Sequence, residues 1–370
     1  MNQMSKPVTL NLEQGHTLLL KGPASIRAKR GDAECLGAPI QSDDWTTIEE
    51  GRQEPIYATD NVLFEIRRGS GSSWTVVRES TVPIAWNEAA HVLKRQRGVC
   101  VIIGDVDSGK SSLCTFLANK SLGETGKIGI VDADVGQADI GPPTTISSSI
   151  MQTPIIGLHK AIAGTSFFIG DTSPSLVPDK LVTLATRLKK SITRTADILL
   201  VNTDGWLGEF NALRHKQLLL EELQPDLVIG LSRSNETIEP LLERVKSASL
   251  KLPSSSFARN RTKEERKKAR EAGYRRFLQG SHKLGISQET RVRMFDQLEQ
   301  TVFPENRRFR GLVAGLLSQN EELLSIGRIN HVENGKVVVE TRTDEMPAIL
   351  EIGNIALSSK YDEVGYSKLH

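Results

Sequence analysis

A short apolar run, "VCVIIG" from Val99 to Gly104, is followed at once by the polar "DVDSGKSS" and then by the helix-like "LCTFLANK". No other stretch constrains the fold as tightly. Gly104 to Ser111 fits GxxxxGK[ST], which works only with a buried strand before it and a helix after it, and therefore asks for an α/β domain. Gly104 and Gly109 let the backbone curl so that successive N–H groups point inward at phosphate oxygens, and the helix N-terminus adds its positive end. Lys110 then bridges the β- and γ-phosphates of a nucleotide, and the Ser111 hydroxyl ligates Mg²⁺. The expected nucleotide-binding set is Gly104, Asp107, Ser108, Gly109, Lys110, Ser111 and Ser112. Two carboxylates, Asp105 and Asp107, sit in the same loop and repel a polyphosphate unless they face away or toward metal-bound water.

At 370 residues the chain exceeds the usual size of one hydrophobic core, so several domains are expected. From Val8 to Val82 short runs rich in β-branched residues ("HTLLLKG", "NVLFEIRRG", "WTVVRE") are separated by Gly, Pro, Asp and Ser. From Trp86 strand-like runs ("GVCVIIG", "KIGIVDAD", "ADILLVNTDG", "PDLVIGL") alternate with helical stretches, which predicts βαβ units on a parallel sheet. After Phe309 short β runs return. The predicted fold is α/β: a central P-loop NTPase domain with a parallel sheet over 86–304, flanked by small β domains over 1–85 and 305–370. Cys35, Cys100 and Cys114 are odd in number and far apart, which argues for buried apolar roles rather than a disulfide framework. The seven histidines show no metal-ligand spacing, so neither zinc nor iron is expected. No apolar run is long enough to cross a bilayer and "MNQMSKPVTLNLEQG" has no apolar signal core, so the chain reads as intracellular, cytoplasmic or, in a eukaryote, nuclear.

Strand alternation along "GIVDAD" places Asp132 and Asp134 on one side of the strand at its C-terminal end, where open α/β sheets bind ligands. Asp134 is the expected base for an attacking hydroxyl and Asp132 the expected metal-shell ligand, with Gly136 and Gln137 following; a turn-capping role for either aspartate is the plainer alternative. After "ADILLVN" comes "TDGWLG", which brings Thr203, Gly205 and Trp206 over the same sheet edge. The Trp206 indole either stacks on a nucleobase or folds into the core. Farther on, "ARNRTKEERKKAREAGYRRF" holds nine Lys or Arg against three Glu, a window of +6 in a chain of net charge +2. Arg266 and Arg270 share a helical face and Arg261 lies near its start. These arginines neutralise a transferring phosphoryl group, hold a nucleic-acid backbone, or belong to a solvated helix.

Four motifs in this order, "GDVDSGKSS", "DADVGQ", "TDGW" and "RTKEERKKAR", resemble those of the polynucleotide 5′-hydroxyl kinases of the messenger-RNA cleavage-factor and ribosomal-RNA-processing type, including their archaeal relatives. The flanks "LLLKGPASIRAKRGDAECLGAPI" and "GLLSQNEELLSIGRI" are similar to that family's N- and C-terminal β domains. The resemblance implies ATP between the phosphate loop and the N-terminal domain, a TxGW clasp on the 5′ end of the strand, and a lid of arginines over the triphosphate. It implies that Lys110 and Ser111 take the γ-phosphate and Mg²⁺, and that Asp134 matches the catalytic aspartate. Gln137, Thr203 and Trp206 match the nucleic-acid-holding positions, and Arg261, Arg266 and Arg270 the catalytic lid arginines. Asp105 in the loop, Thr262 in the lid and "TRTDE" near the C-terminus depart from the family pattern. The function so implied is ATP-dependent phosphorylation of the 5′-hydroxyl of RNA, with DNA as a second acceptor, a nuclease or other RNA-processing protein as partner, and no membrane. A catalytically silent subunit that binds ATP and RNA is the competing class. A GTP-dependent switch needs an NKxD-type reader, and "VNTDG" lacks the lysine and sets its aspartate one place early.

Overall fold

The computed structural model describes residues 5–233, 238–294, 309–333 and 336–366. Its centre is a seven-stranded sheet in the order Ser166–Phe168, Thr145–Met151, Ile128–Ala133, Ile198–Thr203, Gly98–Gly104, Leu227–Ser232 and Ala248–Pro253. The last five of these strands run parallel, as the alternation of strands and helices predicts. The first two are antiparallel, so the sheet is mixed rather than purely parallel. The serine-rich strand "TISSSIM" hides its polarity by hydrogen bonding: Ser147 Oγ meets Ser166 Oγ at 2.8 Å, Ser148 Oγ donates to the Thr165 carbonyl at 3.0 Å, and Ser149 Oγ donates to that of Ile162 at 2.7 Å. A hydroxyl with a partner is cheap to bury.

Helix Lys110–Thr125 follows the phosphate loop and packs beside helix Ile84–Gln96, where Trp86 lies 6.0 Å from Phe116 and donates its indole N–H to the Pro253 carbonyl at 3.0 Å. On the opposite face of the sheet, helix Pro178–Ile192 presents Leu181, Ala185, Leu188 and Ile192 at helical spacing to a second core.

Two antiparallel sheets of four and five strands make the N-terminal domain, as expected, and all three cysteines of the chain are buried and unpaired. A seven-stranded sheet makes the C-terminal domain. That sheet includes His282–Gly285 and Arg291–Met294, two strands that precede residue 305; the expected boundary at 304/305 itself lies outside the described residues. Between the central and C-terminal sheets runs helix Lys263–Leu278, which carries the arginines. No described helix is long and apolar enough to cross a membrane.

Candidate active site

Three strands set the site. Ile102, Asn202 and Asp132 are register partners on adjacent strands, so the loops that follow them emerge side by side at the carboxyl edge of the sheet. Gly109 has φ +98°, a left-handed conformation open to glycine, and from it the helix starts at Lys110. Lys110 is buried and its Nζ donates to the carbonyls of Gly104 (3.0 Å) and Asp105 (2.8 Å). Burial pushes its ammonium below the usual range, and the Asp134 carboxylate is the chief opposing influence.

The carboxylates in the loop do not point at a phosphate position unpaired. Asp107 accepts the backbone N–H of Arg261 at 2.9 Å and Arg266 Nη1 at 3.0 Å, and Asp105 accepts the Ser232 hydroxyl at 3.4 Å.

Asp132 is buried and heavily engaged. Its Oδ2 accepts the N–H groups of Asp139 (2.7 Å) and Ile140 (3.2 Å), while Oδ1 accepts Asn202 Nδ2 at 2.9 Å. The same Asn202 nitrogen stands 3.3 Å from Ser111 Oγ. Asp132 therefore fixes the turn after its strand, and its link to the phosphate-loop serine passes through Asn202. Burial, with Asp139 and Asp134 close by, pushes the Asp132 carboxyl up to about 7. Asn202 Oδ1 is buried without a hydrogen-bond partner among the described residues. The Ser111 hydroxyl and the Asp132 carboxylate, both met by the Asn202 amide nitrogen, are oxygen ligands of the kind that suits a hard divalent cation bound partly through water. Asp134 is pushed up to about 6, by burial first and against the pull of Lys110, which poises it as a base near neutral pH. Its Oδ1 accepts the Gln137 N–H at 3.1 Å.

Thr203 is fully buried and its hydroxyl donates to the Ile102 carbonyl at 2.9 Å, so it secures the loop to the central strand instead of facing a ligand. Gly205 lies against the phosphate loop, where a Cβ would meet Val106 Cα at 2.6 Å. Trp206 is half-buried at the surface beside it, neither free in solvent nor folded into the core. Sequence reasoning missed the groups beneath it. Asp204 Oδ1 accepts the Trp206 N–H at 2.8 Å, Asp204 Oδ2 accepts Lys216 Nζ at 2.6 Å, and the His215 ring lies 5.7 Å from the indole.

The arginine helix opens on a capping box. Thr262 Oγ1 accepts the Glu265 N–H at 3.1 Å and Glu265 Oε2 accepts the Thr262 N–H at 2.8 Å, a role that threonine and serine fill alike. Arg261 donates to Gln137 Oε1 at 3.0 Å, which joins the lid to the carboxylate loop. Arg270 stands apart from Arg261 and Arg266 and forks onto Glu363 of the C-terminal domain at 2.6 and 2.7 Å.

A cleft of about 1,100 Å³ runs from Gly109, Ser111 and Ser112 to the N-terminal domain and the underside of the arginine helix. Arg52 crosses it to Asp139 at 2.7 Å, which ties the N-terminal domain to the backbone that holds Asp132. Glu54, also lining the cleft, is pushed up to about 8 by burial, against the pull of Arg52. A carboxyl kept neutral by the fold but ionised in the unfolded chain above its ordinary 4.5 costs stability as pH rises from about 5 to about 8. Glu54→Gln is therefore expected to match wild type in Tm near pH 5 and to exceed it at pH 8. Parallel Tm profiles would show that Glu54 ionises freely.

Residues 104–280 match the family described as "mRNA cleavage and polyadenylation factor CLP1 P-loop". A polyribonucleotide 5′-hydroxyl-kinase of Pyrococcus furiosus is 31% identical over 200 residues, 54% of this chain and 56% of that protein. Its counterpart in Methanocaldococcus jannaschii is 33% identical over 184 residues, 49% of this chain and 50% of that one. The chain thus spans about half the length of the curated relatives it matches. A solved structure of wild-type Clp1p with a Pcf11p segment has the same fold, with a TM-score of 0.77 over 96% of this chain and 99% of that one at 13% identity.

Proposed function

From the match of residues 104–280 to the CLP1 P-loop family, we propose that the chain is an ATP- and Mg²⁺-dependent kinase of the 5′-hydroxyl end of RNA, with DNA as the second polynucleotide to test. The observation that carries this reading is one of contiguity. Gly205 packs on Val106, so the tryptophan loop and the phosphate loop share a wall, and Asp134 is the main carboxylate acting on Lys110 beside it. In this arrangement the phosphate loop and Lys110 hold the triphosphate, and Trp206 with Gln137 holds the 5′ end of the strand. Ser111, with Asp132 and Asn202 behind it, holds Mg²⁺, which when bound screens charge on the β- and γ-phosphates. Asp134 orients the 5′-hydroxyl and takes its proton as the oxygen bonds to the γ-phosphorus and the bond to the ADP oxygen breaks. Arg261 and Arg266 supply the positive charge that offsets the moving phosphoryl group. The setting is intracellular RNA processing, beside a protein partner.

Incubation with γ-labelled ATP and 5′-hydroxyl RNA or DNA oligonucleotides tests the reading. The expected product is an RNA labelled at its 5′ end, with the label removable by phosphatase. Oligonucleotide binding without any labelled product would replace the kinase with the silent subunit.

A further inference from the structure

The helix Phe210–Leu223 grips the clasp tryptophan at three points. At its N-cap, Glu209 Oε2 accepts the Trp206 indole N–H at 3.3 Å. One and a half turns on, the His215 imidazole lies under the indole at 31° between planes. Beside it Lys216 reaches Asp204, whose other oxygen fixes the Trp206 backbone. We propose that Asp204, His215 and Lys216 are positioning residues for Trp206: a buried ion pair and an imidazole that hold the indole at the level of the phosphate loop, ready for the terminal base of a single strand. This rests on the kinase reading only in the use it gives the indole.

The energetics favour positioning over stability. Lys216 is fully buried and Asp204 is 2% exposed, and a buried ion pair adds little to stability that a well-packed apolar pair would not match. What it does supply is direction. The ammonium can satisfy the Asp204 carboxylate only when the loop sits in one register, and the Asx turn from Asp204 to Trp206 then sets where the ring leaves the backbone. His215 is 3% exposed and neither of its ring nitrogens has a hydrogen-bond partner among the described residues. Its Nε2 stands 3.9 Å from Asp204 Oδ2, beyond hydrogen-bond reach, and its face meets the indole, so the ring touches both parts of the arrangement that holds Trp206. An indole held in place beforehand loses less freedom when a base stacks on it.

The test reads oligonucleotide affinity apart from catalysis, with fluorescein-labelled 5′-hydroxyl RNA followed by anisotropy and, in parallel, KM for RNA and for ATP in transfer. Lys216→Met is expected to raise the RNA Kd and KM about tenfold, the lower part of what one stacked base is worth, with the ATP KM unchanged. In a Trp206→Ala background the same substitution should add nothing, because its effect passes through the indole. Lys216→Met with Asp204→Asn serves where the single variant folds poorly, since no buried charge is left unpaired, and it should still bind RNA about tenfold more weakly than wild type because the ion pair that sets the loop is gone. An equal effect of Lys216→Met with and without Trp206, or an equal rise in the ATP KM, overturns the proposal. Absence of transfer by the wild type overturns the kinase reading instead, and the anisotropy series still decides this one.

Discussion

Asp134→Asn is expected to lower phosphate transfer to a 5′-hydroxyl oligonucleotide by about 10²- to 10⁴-fold, the range general-base catalysis covers. The ATP KM should stay near the wild-type value and Tm should not fall. Each part follows from the geometry. Asp134 bears on Lys110 through its charge, but the nucleotide is held by the curled loop, and the Lys110 ammonium donates to the Gly104 and Asp105 carbonyls rather than to that carboxylate. The Asp134 Oδ1 oxygen that accepts the Gln137 N–H is retained by an amide, so the turn is preserved. Its raised pKa means that the fold disfavours the ionised carboxylate, and a neutral isostere removes that cost. Transfer at the wild-type rate by Asp134→Asn, measured with γ-labelled ATP at saturating oligonucleotide, would assign the proton elsewhere. A fall in Tm together with activity would make Asp134 structural.

What could be read from the sequence was local. The glycine spacing of "GDVDSGKS" and the apolar runs before each loop are short-range patterns, and each one lies where it was expected. Asp132, Asp134 and the tryptophan loop lie on one edge of the sheet because their strands end there; Arg261 and Arg266 reach the phosphate loop from a helix, through Asp107. Pairings between distant residues left no such trace. Asn202 gives no sign, one residue before "TDGW", that it will stand between Ser111 and Asp132. Arg52 and Asp139 meet from different domains, and nothing near either announces the other. Lys216 stands among polar helix positions in "ALRHKQLLLEEL", and nothing in that spacing marks it for complete burial. Strand alternation predicts which edge Thr203 occupies, not that its hydroxyl will find the Ile102 carbonyl. The strands at Thr145–Met151 and His282–Gly285 were missed because their polar residues or short length masked the period-two pattern.

Arg270 shows the difference between sharing a face in sequence and sharing a task in space. Its guanidinium makes a two-pronged bond to Glu363, the two side chains are 16% and 10% exposed, and neighbouring Arg275 pairs with Asp362 at 2.7 Å. Tyr274, on the same helix, is wholly buried in the core shared with the C-terminal sheet. The second half of the arginine helix is thus an anchor to the C-terminal domain, while its first half reaches the phosphate loop through Arg261 and Arg266. Removing one partner of a largely buried pair strands the other charge, so Arg270→Ala is expected to cost about 3–5 kcal/mol of stability, read as a large fall in Tm. Transfer per folded molecule should stay near wild type. Arg270→Met with Glu363→Leu should restore much of the Tm, since neither charge is then left alone. Arg266→Ala should behave in the opposite way, with a loss of about 10²-fold or more in kcat and little change in Tm, because Arg261 still serves Asp107. If Arg270→Ala instead loses kcat with an unchanged Tm, its bond to Glu363 is a resting position and the whole helix closes over the phosphates.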